Sequence, residues 1–303
     1  MPITGIYENA RFAGNLNNVA SNATGTLNIP QRMLASRCML EFQNSSGVGV
    51  ALATVASECT QIRFLVGSQE IYRATPSAIN DLNAHYLTNV NNGTFSDKGI
   101  ITLWFSDLAL LSVGDFMSAW STALGTAGVP SLSVEVSFGT LSNVSAVKVH
   151  MIGSSINKPF ECGVHNRFEQ FSETVASTGD AEKTDWAINA GNVGLKNIMV
   201  EVPGTSVIGD AQLQITAADV YDIYPQDTSL DLHEQLWADA GRVAVNDRFF
   251  FVLDAAQNTE AFLPMQGIQQ IRTVINWVTA APTTHNVHMY RAFNLSGGNG
   301  ANG

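Results

Sequence analysis

The sequence predicts a mainly β protein made of two tandem, related domains, each a sandwich or jelly roll of about eight short strands, with short helices in the loops. Three observations lead there. Apolar and polar residues alternate over short runs along the whole chain, most cleanly at Ser131 to Phe138. A strand, turn, strand and capped-helix pattern at Gln61 to Tyr86 finds a second copy beginning at Ile198. Later runs correspond as well: Gly99 to Phe105 with Asp247 to Leu253, and Ser131 to Phe138 with Asn286 to Phe293. The spacing between partners drifts along the chain, which is what loop insertions produce after a domain-sized duplication.

Residues 1–23 are rich in Asn, Ala and Gly without sustained periodicity, so they predict an N-terminal arm that orders only against a neighbour. The first domain is expected over 24–155. Thr24 to Ile29, Arg37 to Phe42 and Val48 to Val55 read as its first strands, the last two separated by the turn-forming Asn44-Ser45-Ser46-Gly47. Ile62, Phe64 and Val66 share one face of an extended segment, and Gly67-Ser68 suits a two-residue hairpin turn into Glu70 to Arg73. Thr75 then fits an N-cap and Pro76 a first helical position, ahead of Ile79, Leu82, Tyr86 and Val90 at helical spacing.

Asn91-Asn92-Gly93 breaks the chain before the buried strand at Gly99 to Phe105. Asp115 caps an expected helix carrying Phe116, Met117, Trp120 and Leu124, which Gly125 to Pro130 ends. In Ser131 to Phe138, Leu132, Val134, Val136 and Phe138 face one way and the polar residues the other. Val144 to Ile152 closes this domain, and Gly153 to Pro159 reads as the linker.

The second domain is expected over 156–295. Phe160 to Phe171 and Asp185 to Asn189 open it, followed by Ile198 to Val202, a Pro203-Gly204 break and Gln212 to Ile215. Thr216 then repeats the cap, with Asp219 at the third position of a helix through Val220, Ile223 and Tyr224. Leu230 to Ala240 reads as a helical insertion, Phe249 to Leu253 as a strand apolar on both faces, Ile268 to Val278 as either helix or strand, and Val287 to Phe293 as the last strand. Residues 296–303 form a Gly-rich flexible tail.

Composition narrows the function. The chain has 303 residues, 45% of them hydrophobic, enough for two ordinary cores. A net charge of −11 and the lack of a basic cluster argue against direct nucleic-acid binding. Charged residues are only 14%, a depletion that suits surfaces meeting other subunits. Cys38, Cys59 and Cys162 are odd in number and far apart, which predicts reduced thiols rather than a disulfide framework. No run has the length of a membrane span, and Met1-Pro2-Ile3 lacks the basic start of a secretory signal, so a soluble cytosolic product is expected.

Catalytic signatures are weak. His233-Glu234 begins like a zinc-protease helix, but Trp237 occupies the place of the second His, leaving a solvated helix face as the expectation. Cys162 and His165 have ligand-like separation without a second pair nearby. His285 and His288 read as surface imidazoles at a strand edge, and Asp219, Asp222, Asp227 and Asp231 as a solvated acidic series without calcium-loop spacing. Gly47-Val48-Gly49 is no phosphate loop, and Trp104, Trp120 and Trp277 lie in apolar segments that predict core packing. No catalytic or cofactor-binding residue is assigned, a metal site is left undetermined, and no motif supports a structural calcium.

With these motifs in order, the chain resembles the major capsid proteins of corticovirus-type bacteriophages, tailless icosahedral viruses with an internal membrane. The resemblance rests on Thr24 to Pro30, Ile62 to Leu82, Gly99 to Gly139 including Ala123-Leu124-Gly125-Thr126, and Val193 to Leu253 with Gln212, Thr216 and Asp247. It covers nearly everything after Thr24; the arm before it and the tail after Ser296 do not match. It implies a double jelly-roll coat protein without enzymatic activity, whose homotrimers form pseudo-hexagonal capsomers tiling a shell over a bilayer. It further implies assembly in the host cytoplasm, with neighbouring capsomers, penton and membrane-associated virion proteins as partners and a peripheral contact with the viral membrane. The alternative is a jelly-roll carbohydrate-binding, lectin-like protein, since this fold serves both.

Overall fold

The computed structural model describes residues 9–29, 33–87, 98–112, 114, 122–126, 129, 131–154, 163–175, 177–186, 188, 192–202, 204–254, 262–279 and 284–295. Most of the expected helix at Asp115 to Leu124 and of the expected linker at Gly153 to Pro159, with Cys162, Trp120 and the tail, lies outside them; Leu124 is in a two-residue strand rather than a helix, and Gly153 and Ser154 end a strand rather than open a linker. The chain forms two compact units, one of Met1–Phe168 with Leu295–Gly303 and one of Glu169–Asn294.

The first unit contains β1 (Asn9–Asn15), β2 (Thr24–Asn28), β3 (Leu34–Gln43), α1 (Leu52–Glu58), β4 (Cys59–Val66), β5 (Gln69–Ala74), α2 (Pro76–Tyr86), β6 (Ile100–Trp104), α3 (Leu108–Ser112), β7 (Leu124–Gly125), β8 (Leu132–Phe138) and β9 (Ala146–Ser154). Its sheets run β1-β9-β3-β6, with the two-residue β7 on β3, and β2-β8-β4-β5. The alternation read at Ser131 to Phe138 holds: Leu132, Val134, Val136 and Phe138 are buried and the residues between them half-buried. Phe64 and Val134 are register partners across β4 and β8, and Ile62 pairs with Val136. Each such side chain removed from water contributes roughly 1.5–3 kcal/mol. On the opposite face Arg63 donates to Glu135 at 2.6 Å and pairs with Glu70. At α2 the Thr75 side chain accepts from the Ala78 amide at 3.2 Å, as its position in the sequence implies.

The second unit contains most of β10 (Gly163–Thr174), then β11 (Gly179–Lys183), β12 (Asn192–Glu201), β13 (Ile208–Thr216), β14 (Val220–Tyr224), α4 (Leu230–Asp239), β15 (Arg248–Val252), β16 (Leu263–Pro264), β17 (Gln270–Trp277) and β18 (Thr284–Leu295). Its sheets run β10-β18-β12-β15, with the two-residue β16 on β12, and β11-β17-β13-β14. Numbering the eight long strands of either unit from one to eight, both units read 1-8-3-6 and 2-7-4-5. That shared order is a jelly roll, present twice, and even the two-residue strand on the third strand recurs.

Five expectations change. Asn9–Asn15 pairs antiparallel with β9 as an edge strand, where an unstructured arm was expected. Its short pattern is masked by Asn and Gly, and an edge strand needs only one partner. Val48 to Val55 is not a strand: the chain turns helical at Leu52 and buries Val55 and Glu58, three residues apart. Of Asp185 to Asn189, the described Asp185, Trp186 and Ile188 lie in no strand either; the edge strand lies earlier, at Gly179–Lys183, where polar Asp180, Glu182 and Lys183 hide it. The helix expected after Thr216 is β14, turned back on β13 so that Thr216 faces Val220. Finally, the repeat is real and β6 does correspond to β15, but the other partners shift by one strand. β4 corresponds to β13 rather than β12, β8 to β17 rather than β18, and the capped helix α2 to α4, with Ser229 in the role of Thr75.

Candidate functional site

The chemistry-bearing side chains of the second unit fall into buried clusters and one polar groove. α4 is held by His233 and Trp237, one turn apart on its buried face. The His233 ring sits 4.7 Å from both Tyr224 and Phe249, its Nε2 donates to the Ala211 carbonyl at 3.1 Å, and burial pulls its pKa down to about 4. Trp237 Nε1 donates to the Phe250 carbonyl at 2.8 Å. The solvated face expected for His233-Glu234 therefore holds only for Glu234, which is exposed. The histidine is a packing residue.

His285 and His288 are also buried, against the surface position expected for them. Both lie on β18, paired into its sheet, rather than on a free edge. His288 Nε2 is 3.0 Å from Glu201 Oε1, where it must donate, because a carboxylate only accepts. Asn286 donates to the other Glu201 oxygen at 3.0 Å, and Arg248 stands 4.0 Å away. Burial opposes the Glu201 charge, yet these partners hold its pKa below the ordinary range. His285 packs edge-on against Trp277 and lies 3.6 Å from Glu173; burial lowers its pKa to about 4 and raises that of Glu173.

The groove lies on the face of β11-β17-β13-β14 turned away from the unit's core. Asp180, Gln212, Gln214, Asp222, Arg272 and Asn276 are among its lining residues, around about 580 Å³. The pleat puts them there: on β13 they alternate with buried Ala211, Leu213 and Ile215, and on β17 with Ile271, Thr273 and Ile275. They satisfy one another. Arg272 donates to Glu182 at 3.0 Å and Gln212 at 3.3 Å, Gln214 to Asp222 at 2.9 Å, and Asn276 to Asp210 at 2.8 Å. Among the described residues, no aromatic ring lines it. Sequence reasoning missed this groove because its residues come from four strands far apart in the chain.

Asp219, Asp222, Asp227 and Asp231 are all exposed, as expected, and Trp104 and Trp277 are core residues. His165 is half-buried, Gly47 turns the chain with φ +76°, and Cys38 and Cys59 are buried free thiols. Among the described residues no group of three or more His, Cys, Asp or Glu side chains is placed to hold a metal ion. No described helix is long and apolar enough to cross a membrane.

Two eight-stranded rolls in tandem, with buried ionisable groups serving packing, define a double jelly-roll fold. Residues 13–153 match the family model described as viral coat protein P2 N-terminal domain. Among solved structures, the chain is similar to the major capsid protein P2 of bacteriophage PM2 at 12% identity and TM-score 0.76, over 97% of this chain and 100% of that one. It is also similar to a chain of the Sulfolobus turreted icosahedral virus structure (10% identity, TM-score 0.64, 97% and 92% covered). A third is the PBCV-1 virus capsid model (8%, 0.60, 97% and 95%). No curated protein sequence matches. The resemblance read from the sequence to double jelly-roll coat proteins is borne out by these matches.

Proposed function

We propose that this chain is a structural major capsid protein, located in the virion shell, whose homotrimers act as pseudo-hexagonal capsomers. One observation carries the reading: the same eight-strand order occurs twice in one chain. Three copies then supply six similar rolls around a three-fold axis, which lets a three-fold object fill a six-fold position of a closed lattice. The coat-protein family match over 13–153 and the fold shared with viral capsid proteins support it. The low charge of the chain suits many modest contacts between copies. An internal membrane, penton and membrane-associated partners, and assembly in the host cytoplasm belong to the same reading. The shell role requires no catalysis.

The mutually satisfied polar groove is the one feature that favours a lectin-like alternative, and its lack of an aromatic platform weighs against it. Light scattering on the purified protein at micromolar concentration tests the proposal. A mass three times 32.5 kDa is expected. A monomer that binds a glycan array would replace the capsid reading with the lectin one.

A further inference from the structure

The two units agree strand for strand, and the fifth strand is where their surroundings part. In the first unit β5 is followed in its sheet by β10, whose residues up to Phe168 belong to that unit, and the Phe168 ring lies 6.3 Å from that of Tyr72 on β5. Its counterpart β14 ends its sheet, with β13 as its one strand neighbour among the described residues. The opening strand of the first roll, β1, is a sheet edge whose one strand neighbour among the described residues is β9. Among the described residues, one fifth-strand edge and one first-strand edge thus each have a single strand neighbour.

We propose that β1 of a second copy pairs along β14, adding a strand to the sheet β11-β17-β13-β14; the inference rests on the homotrimer reading. An open edge offers a row of unpaired N–H and C=O groups, and edges that avoid pairing carry Pro, Lys or bulges. β14 reads Val-Tyr-Asp-Ile-Tyr without Pro or Lys; its register shift falls at Ile223 and that of β1 at Ala13, so Val220 to Asp222 and Asn9 to Phe12 keep regular pairing, and Val220 and Tyr221 are 58% and 49% exposed. On β1, Phe12 is 58% exposed next to the exposed Arg11. Arg11 and Asp222 bring opposite charges to the two edges. Two β14 strands pairing antiparallel about their middle would instead set Asp222 against Asp222, which destabilises a sheet pair. The contact joins unlike surfaces, head to tail, so a ring of three copies closes every such edge.

Cysteine cross-linking and light scattering separate this inference from the trimer. Phe12→Cys combined in one chain with Val220→Cys or Tyr221→Cys should give inter-chain disulfide ladders under mild oxidation that wild type and the variants with one added cysteine do not. Phe12→Asp and Tyr221→Asp should each raise the concentration at which the oligomer dissociates about tenfold or more. Both positions are exposed, so the melting temperature of the separated chains should stay close to wild type. A wild type of trimer mass whose cysteine pairs do not link, and whose aspartate variants keep that mass, overturns the β1–β14 pairing while the trimer stands. Cross-linked ladders from a wild type of two-chain mass would overturn the trimer and keep the pairing.

Discussion

At the scale of single residues, alternation was the legible signal and burial of ionisable groups was not. Val134 could be placed on a core face because its neighbours at i±2 are apolar, and it is fully buried. Val134→Asp should cost several kcal/mol and lower soluble yield, whereas Glu135→Gln, which loosens a half-exposed pair with Arg63, should shift the melting temperature by a few degrees at most. The histidines were misread because what buries them lies on other elements that only the turns of the fold bring alongside: β15 and Tyr224 for His233, Trp277 for His285. Their pKa values near 4, against an ordinary 6.5, make stability pH-dependent. Between those values the unfolded chain binds more protons, so the contribution is full above pH 6.5 and is lost as pH falls toward 4, up to about 3 kcal/mol for each histidine. Glu173, with its raised pKa, opposes part of this at His285. Urea midpoints should therefore drop from pH 7 to pH 4.5, with a flatter slope in His233→Phe.

At the scale of elements, hairpins and caps were readable where their chemistry is local. Thr75-Pro76 announced α2, and Thr75→Ala should cost about 1 kcal/mol in thermal or urea unfolding. Val48 to Val55 failed because Val48-Gly49-Val50 imitates strand alternation, while the helix that follows is stabilised from outside. The Glu58 carboxylate works against burial but accepts from the Val144 amide at 2.9 Å and the Asn143 side chain at 2.7 Å, which keeps its pKa low. Val220 to Tyr224 failed for the opposite reason. Apolar residues at i, i+3 and i+4 fit a helix, but three residues after Thr216 suffice to turn the chain into an edge hairpin. The paired helices α2 and α4 also differ. α2 buries Ala78, Ile79, Leu82 and Tyr86, whereas α4 buries His233 and Trp237 and leaves Leu232 and Leu236 exposed. Trp237→Ala should cost about 3–5 kcal/mol and Leu236→Ala much less, a contrast that chemical denaturation can measure.

At the scale of the whole molecule, the duplication was visible and its alignment was not. Strands four and three of a jelly roll have similar lengths and apolar content, so β4 could be matched to β12 without contradiction. Only the pairing of strands, which depends on contacts between residues far apart in the chain, shows that β13 is its counterpart. The polar groove was illegible for the same reason. If the capsid reading holds, deletion of residues 1–15 should leave a β-rich circular dichroism spectrum but reduce particle yield, since β1 is an edge strand and not part of the core.

In the proposed capsid role, the shared strand order of the two rolls also bears on how faithfully a shell of such trimers could be put together. Two rolls translated as separate chains would have to meet in equal numbers and sort themselves, and rings of six drawn from such a mixture would include many with like rolls side by side. One polypeptide carrying both removes that sorting. Every molecule delivers one of each, and a head-to-tail ring of three has a single composition and a single alternation. The two rolls are then free to diverge, as α2 and α4 have, without any risk of miscounting.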